Sequence, residues 1–238
     1  MDKGKRYVVG DIHGCLKSFR RMVTEKLKLK KEDTMFLLGD YVDRGPDSKG
    51  VLDFIMELKA DGYDVRPIMG NHEYMMLLSR EDDDKFADWM KNGSAQTLMS
   101  FGIPEDKTTE RESMKMIPAL YYDFISSLSY FEETDDFYFV HAGLGKDVTD
   151  PKDDINTLFW SRKEFYNKSL LKNRILIHGH TPVSMASIQD RVFDGDGKIL
   201  NLDCGCVYPH FEGFGHLAAM DLDTFELFFQ KNIEGPVK

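Results

Sequence analysis

The sequence predicts an α/β protein with mixed sheets, and three observations carry that prediction. Short apolar runs end three times in glycine-led polar loops, after Val9, Leu38 and Met69, and a helix-like stretch follows each loop. From Tyr74 to about Leu128 strand signals stop and apolar residues recur at helical spacing. Beyond that stretch strands return, and the last of them pattern as antiparallel hairpins.

In chain order, Arg6-Tyr7-Val8-Val9 reads as a first strand ending in Gly10-Asp11-Ile12-His13-Gly14. Residues two apart in an extended segment point the same way, so Asp11 and His13 can reach one point. Leu16, Phe19, Met22, Val23 and Leu27 predict an amphipathic helix between Cys15 and Lys30. The second strand, Thr34 to Leu38, opens into Gly39-Asp40-Tyr41-Val42-Asp43-Arg44-Gly45-Pro46, and a helix from Val51 to about Ala60 follows. Val65 to Met69 is a third strand, running into Gly70-Asn71-His72-Glu73. Phe86, Trp89, Met90, Leu98 and Phe101 then mark helices of a predicted insertion over about 74–128, their apolar residues assigned to a core. Phe137 to Val140 delivers His141-Ala142-Gly143, and an arginine, Arg162, follows the pair Phe159-Trp160. Arg174 to Ile177 ends in His178-Gly179-His180-Thr181-Pro182. Arg191 to Phe193 and Ile199 to Leu202 are expected to flank a turn at Asp194-Gly195-Asp196-Gly197. A final hairpin pairs Leu217–Leu222 with Phe225–Phe229.

Composition narrows the function. The 238 residues fit one domain, 1–238, with no repeat or linker, and no apolar run is long enough to span a bilayer. The first residues lack the apolar core of a signal peptide, so a cytoplasmic protein is expected. A formal net charge of −10 argues against nucleic acid as a partner, and no membrane contact is expected. Cys15, Cys204 and Cys206 form no zinc-binding or disulfide pattern and are expected to be buried thiols.

The strand-end loops together offer Asp11, His13, Asp40, Asn71, His141 and one of His178 or His180. Oxygen and imidazole donors without thiolate suit manganese, iron, zinc or nickel. Six donors exceed one tetrahedral site, so two ions about 3.5–4 Å apart sharing a carboxylate are the economical reading. Two divalent cations would outweigh two aspartates and a bridging hydroxide, and Arg44 and Arg162 add to the positive balance. A phosphate is the natural ligand of such a centre.

These motifs resemble the phosphoprotein phosphatase branch of the calcineurin-like metallophosphoesterases, especially its compact bacterial and phage-type serine/threonine phosphatases. Gly-Asp-x-His-Gly, Gly-Asp-x-Val-Asp-Arg-Gly, Gly-Asn-His-Glu, His-Ala-Gly and Gly-His-Thr occur in family order at 10–14, 39–45, 70–73, 141–143 and 179–181. Trp89-x-x-Asn92-Gly93 followed by Thr97-Leu98-x-Ser100-Phe101-Gly102 resembles the bacterial subgroup more loosely. The resemblance implies a four-layer αββα sandwich with the metals between two sheet edges. It places Asp11, His13 and Asp40 on one ion, and Asp40, Asn71, His141 and His180 on the other. Manganese is the expected metal, with iron, zinc, nickel or magnesium as alternatives. His72 would be the general acid, oriented by Asp43. Arg44 and Arg162 would clamp the phosphate, with Asn71 also on the substrate side and His178 either there or behind the His180 ligand.

The resemblance therefore implies a metal-dependent serine/threonine phosphatase in which a hydroxide bridging the ions attacks phosphorus directly. Its partner would be a phosphorylated protein or a small phosphoester. The alternative is a symmetrical dinucleoside polyphosphate hydrolase on the same scaffold. Those enzymes typically carry Asp-Leu-Val-Ala-Arg-Gly and Gly-Asn-His-Asp where this chain has Asp43 and Glu73. A third reading, a non-catalytic phospho-partner scaffold, is disfavoured because no ligand or arginine of the motif set is missing.

Overall fold

Strand residues here alternate between two apolar surroundings, and that alternation builds a layered structure. The computed structural model describes residues 4–162, 167–194 and 198–235. The first sheet has the order β3-β2-β1-β8-β9, from β1 (Arg6–Val9), β2 (Thr34–Leu37), β3 (Asp64–Pro67), β8 (His216–Asp221) and β9 (Leu227–Lys231). The second has the order β4-β5-β6-β7, from β4 (Phe131–Glu133), β5 (Phe137–Val140), β6 (Ile175–His178) and β7 (Ile199–Asn201). β1, β2 and β3 are parallel, as are β5, β6 and β7, while β4, β8 and β9 pair antiparallel with their neighbours.

Val8, Phe36, Leu38, Ala218 and Met220 of the first sheet pack with Phe137, Phe139, Ile177 and Leu200 of the second in one apolar layer. At its centre the rings of Phe36 and Phe139 stack at 4.2 Å. The intervening residues Tyr7, Val9, Met35, Leu37, Tyr138, Val140 and Leu176 pack with the helices instead. Period-two alternation thus buries both faces of the inner strands, as sheets sandwiched between helices require.

The helices are α1 (Leu16–Arg21), α2 (Ser48–Ala60), α3 (Asn71–Leu78), α4 (Asp83–Met90), α5 (Ser94–Ser100), α6 (Ala119–Ser126), α7 (Ile155–Trp160), α8 (Lys168–Leu171) and α9 (Met185–Asp194). The helix expected after Cys15 changes character midway: α1 continues as a π-helix over Met22–Leu27 and stops at Lys28, which has φ 51°. Asp47 caps α2, its side chain accepting from Gly50 N–H at 2.8 Å. No helix among the described residues is long and apolar enough to cross a membrane.

Two expectations fail near the end of the chain. Arg191, Val192 and Phe193 lie on α9, not on a strand. Met185, Ile188 and Val192, spaced three and four apart, pack against the inter-sheet layer, so the effective period is helical. β7 consequently runs parallel to β6, because a helical crossover returns the chain to the same sheet edge. The expected turn residues Gly195, Asp196 and Gly197 lie outside the described residues. β4, three residues long, escaped the sequence pattern. The closing hairpin of β8 and β9 forms as expected.

Candidate active site

The polar loops that leave β1, β2, β3, β5 and β6 converge beyond the carboxyl ends of those strands. Backbone bonds join the first two loops, with Ile12 and His13 N–H donating to the Asp40 carbonyl at 3.1 and 2.8 Å. A buried carboxylate fixes the second to the third. Glu73 accepts N–H bonds from Asp40 (2.9 Å), Tyr41 (2.7 Å), Val42 (3.1 Å) and Gly70 (3.0 Å). Burial pushes Glu73 up to about 8, yet four N–H donors are satisfied only by the ionised form, and they favour it. Gly179 and Gly70 permit the close approach of these loops. A Cβ would fall 2.0 Å from Asp11 Oδ1 at Gly179 and 2.2 Å from Asp40 Oδ1 at Gly70.

Two groups of ligand atoms form where the loops meet: His13 with Asp40 and His72, and Asp40 with His141 and His180. Within each group all ligand atoms lie within 4.8 Å of one another. The tautomers are set by backbone carbonyls. His13 Nδ1–H donates to Val42 at 2.9 Å and His141 Nδ1–H to Leu38 at 2.8 Å, leaving both Nε2 lone pairs facing inward. His13 Nε2 lies 3.4 Å from Asp40 Oδ2. His141 Nε2 lies 2.8 Å from Asn71 Oδ1, 3.2 Å from His180 Nδ1 and 3.3 Å from Asp40 Oδ1. Converging lone pairs in a buried site are unfavourable unless a cation stands between them. Asp11 Oδ1 and His180 Nε2 are buried with no hydrogen-bond partner, while Asp11 Oδ2 accepts from His180 N–H at 3.0 Å. The donors fit divalent cations, and all are oxygen or imidazole nitrogen. The three cysteines are free, buried and outside both groups.

Burial and close packing of like groups shift the charges at the site. Burial, then the neighbouring Asp203 and Asp40 carboxylates, push Asp11 well above the ordinary carboxylate range. Asp203 itself is pushed up to about 7 by burial. Burial would also raise Asp40, but the imidazoles of His141, His72, His13 and His180 outweigh it and hold Asp40 low. His180 is pushed down to about 3 by burial, with His141 adding to the effect. Metal ligation needs Asp40 and Asp11 ionised and the ligating imidazoles neutral, so a bound cation would replace imidazolium charge in holding Asp40 low and would return Asp11 to its ionised form.

His72 has a different setting. Its Nδ1–H donates to Asp43 Oδ2 at 2.6 Å, and its Nε2 lies 3.9 Å from Asp40 Oδ2. Burial lowers His72, but Asp40 and Asp43 together raise it above the usual imidazole value. Asp43 is fully buried and held by donors from the helical region: Trp89 Nε1–H to Oδ2 and the Thr97 hydroxyl to Oδ1, both at 2.7 Å. Its own N–H donates to the hydroxyls of Thr97 and Ser48 at 2.8 and 3.0 Å. Arg44 donates from Nη1 to His13 Nε2 at 2.7 Å, and its N–H is bound by the Gly93 carbonyl at 2.9 Å.

The loops thus bring together Asp11, His13, Asp40, Asp43, Arg44, Asn71, His72, His141 and His180. His178 Nδ1–H donates to the Gly179 carbonyl at 3.0 Å, and the side chain lies outside both ligand-atom groups. Asp11 also lies outside them, and His72, edge-on to the His13 ring at 4.7 Å, stands in the first. Arg162 is exposed just past α7, close enough for its charge to help lower His180. Sequence reasoning missed Trp89, Thr97 and Glu73 as supports. Trp89 is core, with no exposed surface. A buried indole N–H still needs an acceptor, and that was the available signal.

Five of these side chains sit on backbone in the left-handed region: His13 (φ 46°), Asp40 (53°), Asp43 (73°), Arg44 (68°) and His180 (70°). Non-glycine residues are uncommon there, and such strain gathers at functional sites.

Among curated relatives, a zinc-dependent endopolyphosphatase of Saccharomyces cerevisiae is 34% identical over 112 residues, covering 44% of this chain and 33% of that protein. A symmetrical bis(5'-nucleosyl)-tetraphosphatase of Pectobacterium atrosepticum is 33% identical over 119 residues, covering 48% and 41% respectively. The chain thus spans less than half the length of either relative. Two solved structures share the fold. A putative diadenosine tetraphosphatase superimposes with TM-score 0.64 at 19% identity, covering 98% of this chain and 96% of that one. A Saccharomyces cerevisiae serine/threonine phosphatase does so with TM-score 0.66 at 18% identity, covering 98% and 82%. The calcineurin-like phosphoesterase family matches residues 4–216, a span that holds both ligand-atom groups, and the chain belongs to that family.

Proposed function

We propose that this metallophosphoesterase is a serine/threonine protein phosphatase acting on phosphomonoesters. The supporting observation is the buried pair of His72 and Asp43, 2.6 Å apart and braced by Trp89 and Thr97. A serine or threonine alkoxide is a poor leaving group that departs only with a proton. An imidazole kept protonated by a fixed carboxylate supplies one. The diphosphate released from a dinucleoside polyphosphate needs much less help.

In this reading Asp11, His13 and Asp40 hold one ion, and Asp40, Asn71, His141 and His180 the other. Divalent ions bound there would supply hydroxide at neutral pH and Lewis-acid stabilisation of the phosphoryl oxygens. Arg44 and Arg162 orient the phosphate and balance its charge. Asn71 adds an amide on the substrate side, and His178 stands behind the last ligand. His72 donates its Nε2 proton to the departing oxygen while Asp43 stabilises the imidazolium. Manganese is the metal we favour.

A second reading, symmetrical dinucleoside tetraphosphate hydrolysis, is favoured by the names of the Pectobacterium relative and others like it. The deciding experiment compares kcat/KM for a phosphothreonine peptide and for diadenosine tetraphosphate on one metal-stripped, manganese-reconstituted preparation. A preference for the peptide of tenfold or more is expected. A comparable preference for the dinucleotide would overturn the protein-phosphatase reading and leave the phosphoesterase intact.

A further inference from the structure

Six large hydrophobic side chains are exposed among the described residues, and Phe211 is the one joined by ring contacts to Arg44. It stands on a loop that begins at Asp203. That loop is tied to itself at every turn. Gly205 N–H donates to Asp203 Oδ1 at 2.9 Å, and Tyr208 and Gly215 N–H donate to the Gly205 carbonyl at 2.8 and 3.0 Å. Phe211 N–H donates to the Tyr208 carbonyl at 3.2 Å. The Tyr208 ring lies 5.8 Å from the Arg44 guanidinium carbon, within cation–π range. Phe211 meets Tyr208 at 6.0 Å and 82°, edge to face, and remains 65% exposed.

Arg44, the half-buried Tyr208 and the open Phe211 therefore follow one another in two steps of similar length. A phosphate held at Arg44 would bring the organic part of the ester against these rings. We propose that Tyr208 and Phe211 form an aromatic platform that binds a planar ring carried by the substrate, a phenyl group or a nucleobase, by stacking. This goes beyond the hydrolytic reading but rests on its placement of Arg44 at the phosphate. Stacking tolerates any ring with an open π face, so in a phosphopeptide the ring would be an aromatic side chain near the phosphorylated residue, and in a nucleotide ester the base.

The test is equilibrium binding to the manganese-loaded protein by calorimetry, with phenylphosphonate, adenosine 5'-monophosphate and methylphosphonate. Wild type is expected to bind the two ring-bearing ligands about tenfold more tightly than methylphosphonate. Phe211→Ala should bring that ratio close to one while leaving methylphosphonate affinity unchanged, and Phe211→Trp should restore it. The larger loss in Phe211→Ala identifies the ring, phenyl or adenine, for which the platform is better shaped. An unchanged ratio in Phe211→Ala, or an equal loss for all three ligands, overturns the proposal. So does a change confined to oligomeric state, which would assign Phe211 to a contact between copies of the chain. Arg44→Ala serves as the separate control. If it leaves methylphosphonate binding intact, the phosphate placement fails, whatever happens at Phe211.

Discussion

The two ends of the same parallel strands handle charge in opposite ways. At the amino end, Arg6 donates to Asp223 at 2.6 and 3.0 Å and reaches Asp136 across the sandwich at 3.3 Å, while Arg174 pairs with Glu133. Both arginines there meet acids, and those acids lie open to solvent. A cleft of about 740 Å³ between them has three cationic and three acidic side chains in its wall: Arg6, Lys172, Arg174, Asp135, Asp136 and Asp223. At the carboxyl end, aspartates and imidazoles are buried with the acceptor atoms of Asp40, Asn71 and His141 facing one another, while Arg44 covers His13 Nε2. Complementary charge within the chain closes the first end. The second is complete only with cations from outside, and that asymmetry separates a structural surface from a site.

The largest test of this contrast removes the aspartate shared by both ligand-atom groups. Asp40→Asn should lower kcat by roughly a thousandfold, several kcal/mol of lost charge stabilisation. Bound metal measured by mass spectrometry should fall with it. Full activity with full metal content would show that the converging lone pairs serve no cation. His72→Asn comes next, with a loss of about 10²–10⁴-fold on an alkyl phosphate and a much smaller one on an activated aryl phosphate. Equal losses on both would remove His72 as the general acid.

A subtler test moves one pKa. Asp40 and Asp43 raise His72, so its protonated form persists above the usual imidazole range. Activity that needs this proton is present at low pH and fades as pH rises through the folded value. Asp43→Asn should therefore move the alkaline limb of kcat/KM to lower pH by about one unit, whereas Trp89→Phe, which removes a donor sharing Asp43 Oδ2 with His72, should not lower it. The same pair stabilises the fold below the unfolded value near 6.5 and ceases to do so as pH rises through the folded one. An unmoved limb in Asp43→Asn would make Asp43 a structural acid. Arg6→Ala, at the other end, should cost only about 0–1 kcal/mol in urea unfolding and leave kcat unchanged.

Much of this was readable before any coordinates, for a physical reason. Asp11, His13, Asp40, Asn71, His72, His141 and His180 each follow a strand directly, so local sequence fixes where they emerge. The support of Asp43 was not readable in the same way. Trp89 lies 46 residues from Asp43 in the chain and Thr97 lies 54, and nothing in a helical apolar face reveals which indole N–H will meet a carboxylate. The misread strand at Arg191–Phe193 has another cause. Three residues cannot distinguish a period of two from one of 3.6, and only the longer window from Met185 does so. The direction of β7 followed from that one error.

The left-handed backbone at His13, Asp40, Asp43, Arg44 and His180 bears on how such a protein could decay. Each position holds a side chain where glycine or asparagine would rest more easily, so function and local comfort oppose one another there. In a lineage released from catalysis, substitutions to glycine at these five positions would meet the least resistance from the fold. A descendant with an intact inter-sheet layer and glycines in these loops would carry the imprint of a retired enzyme.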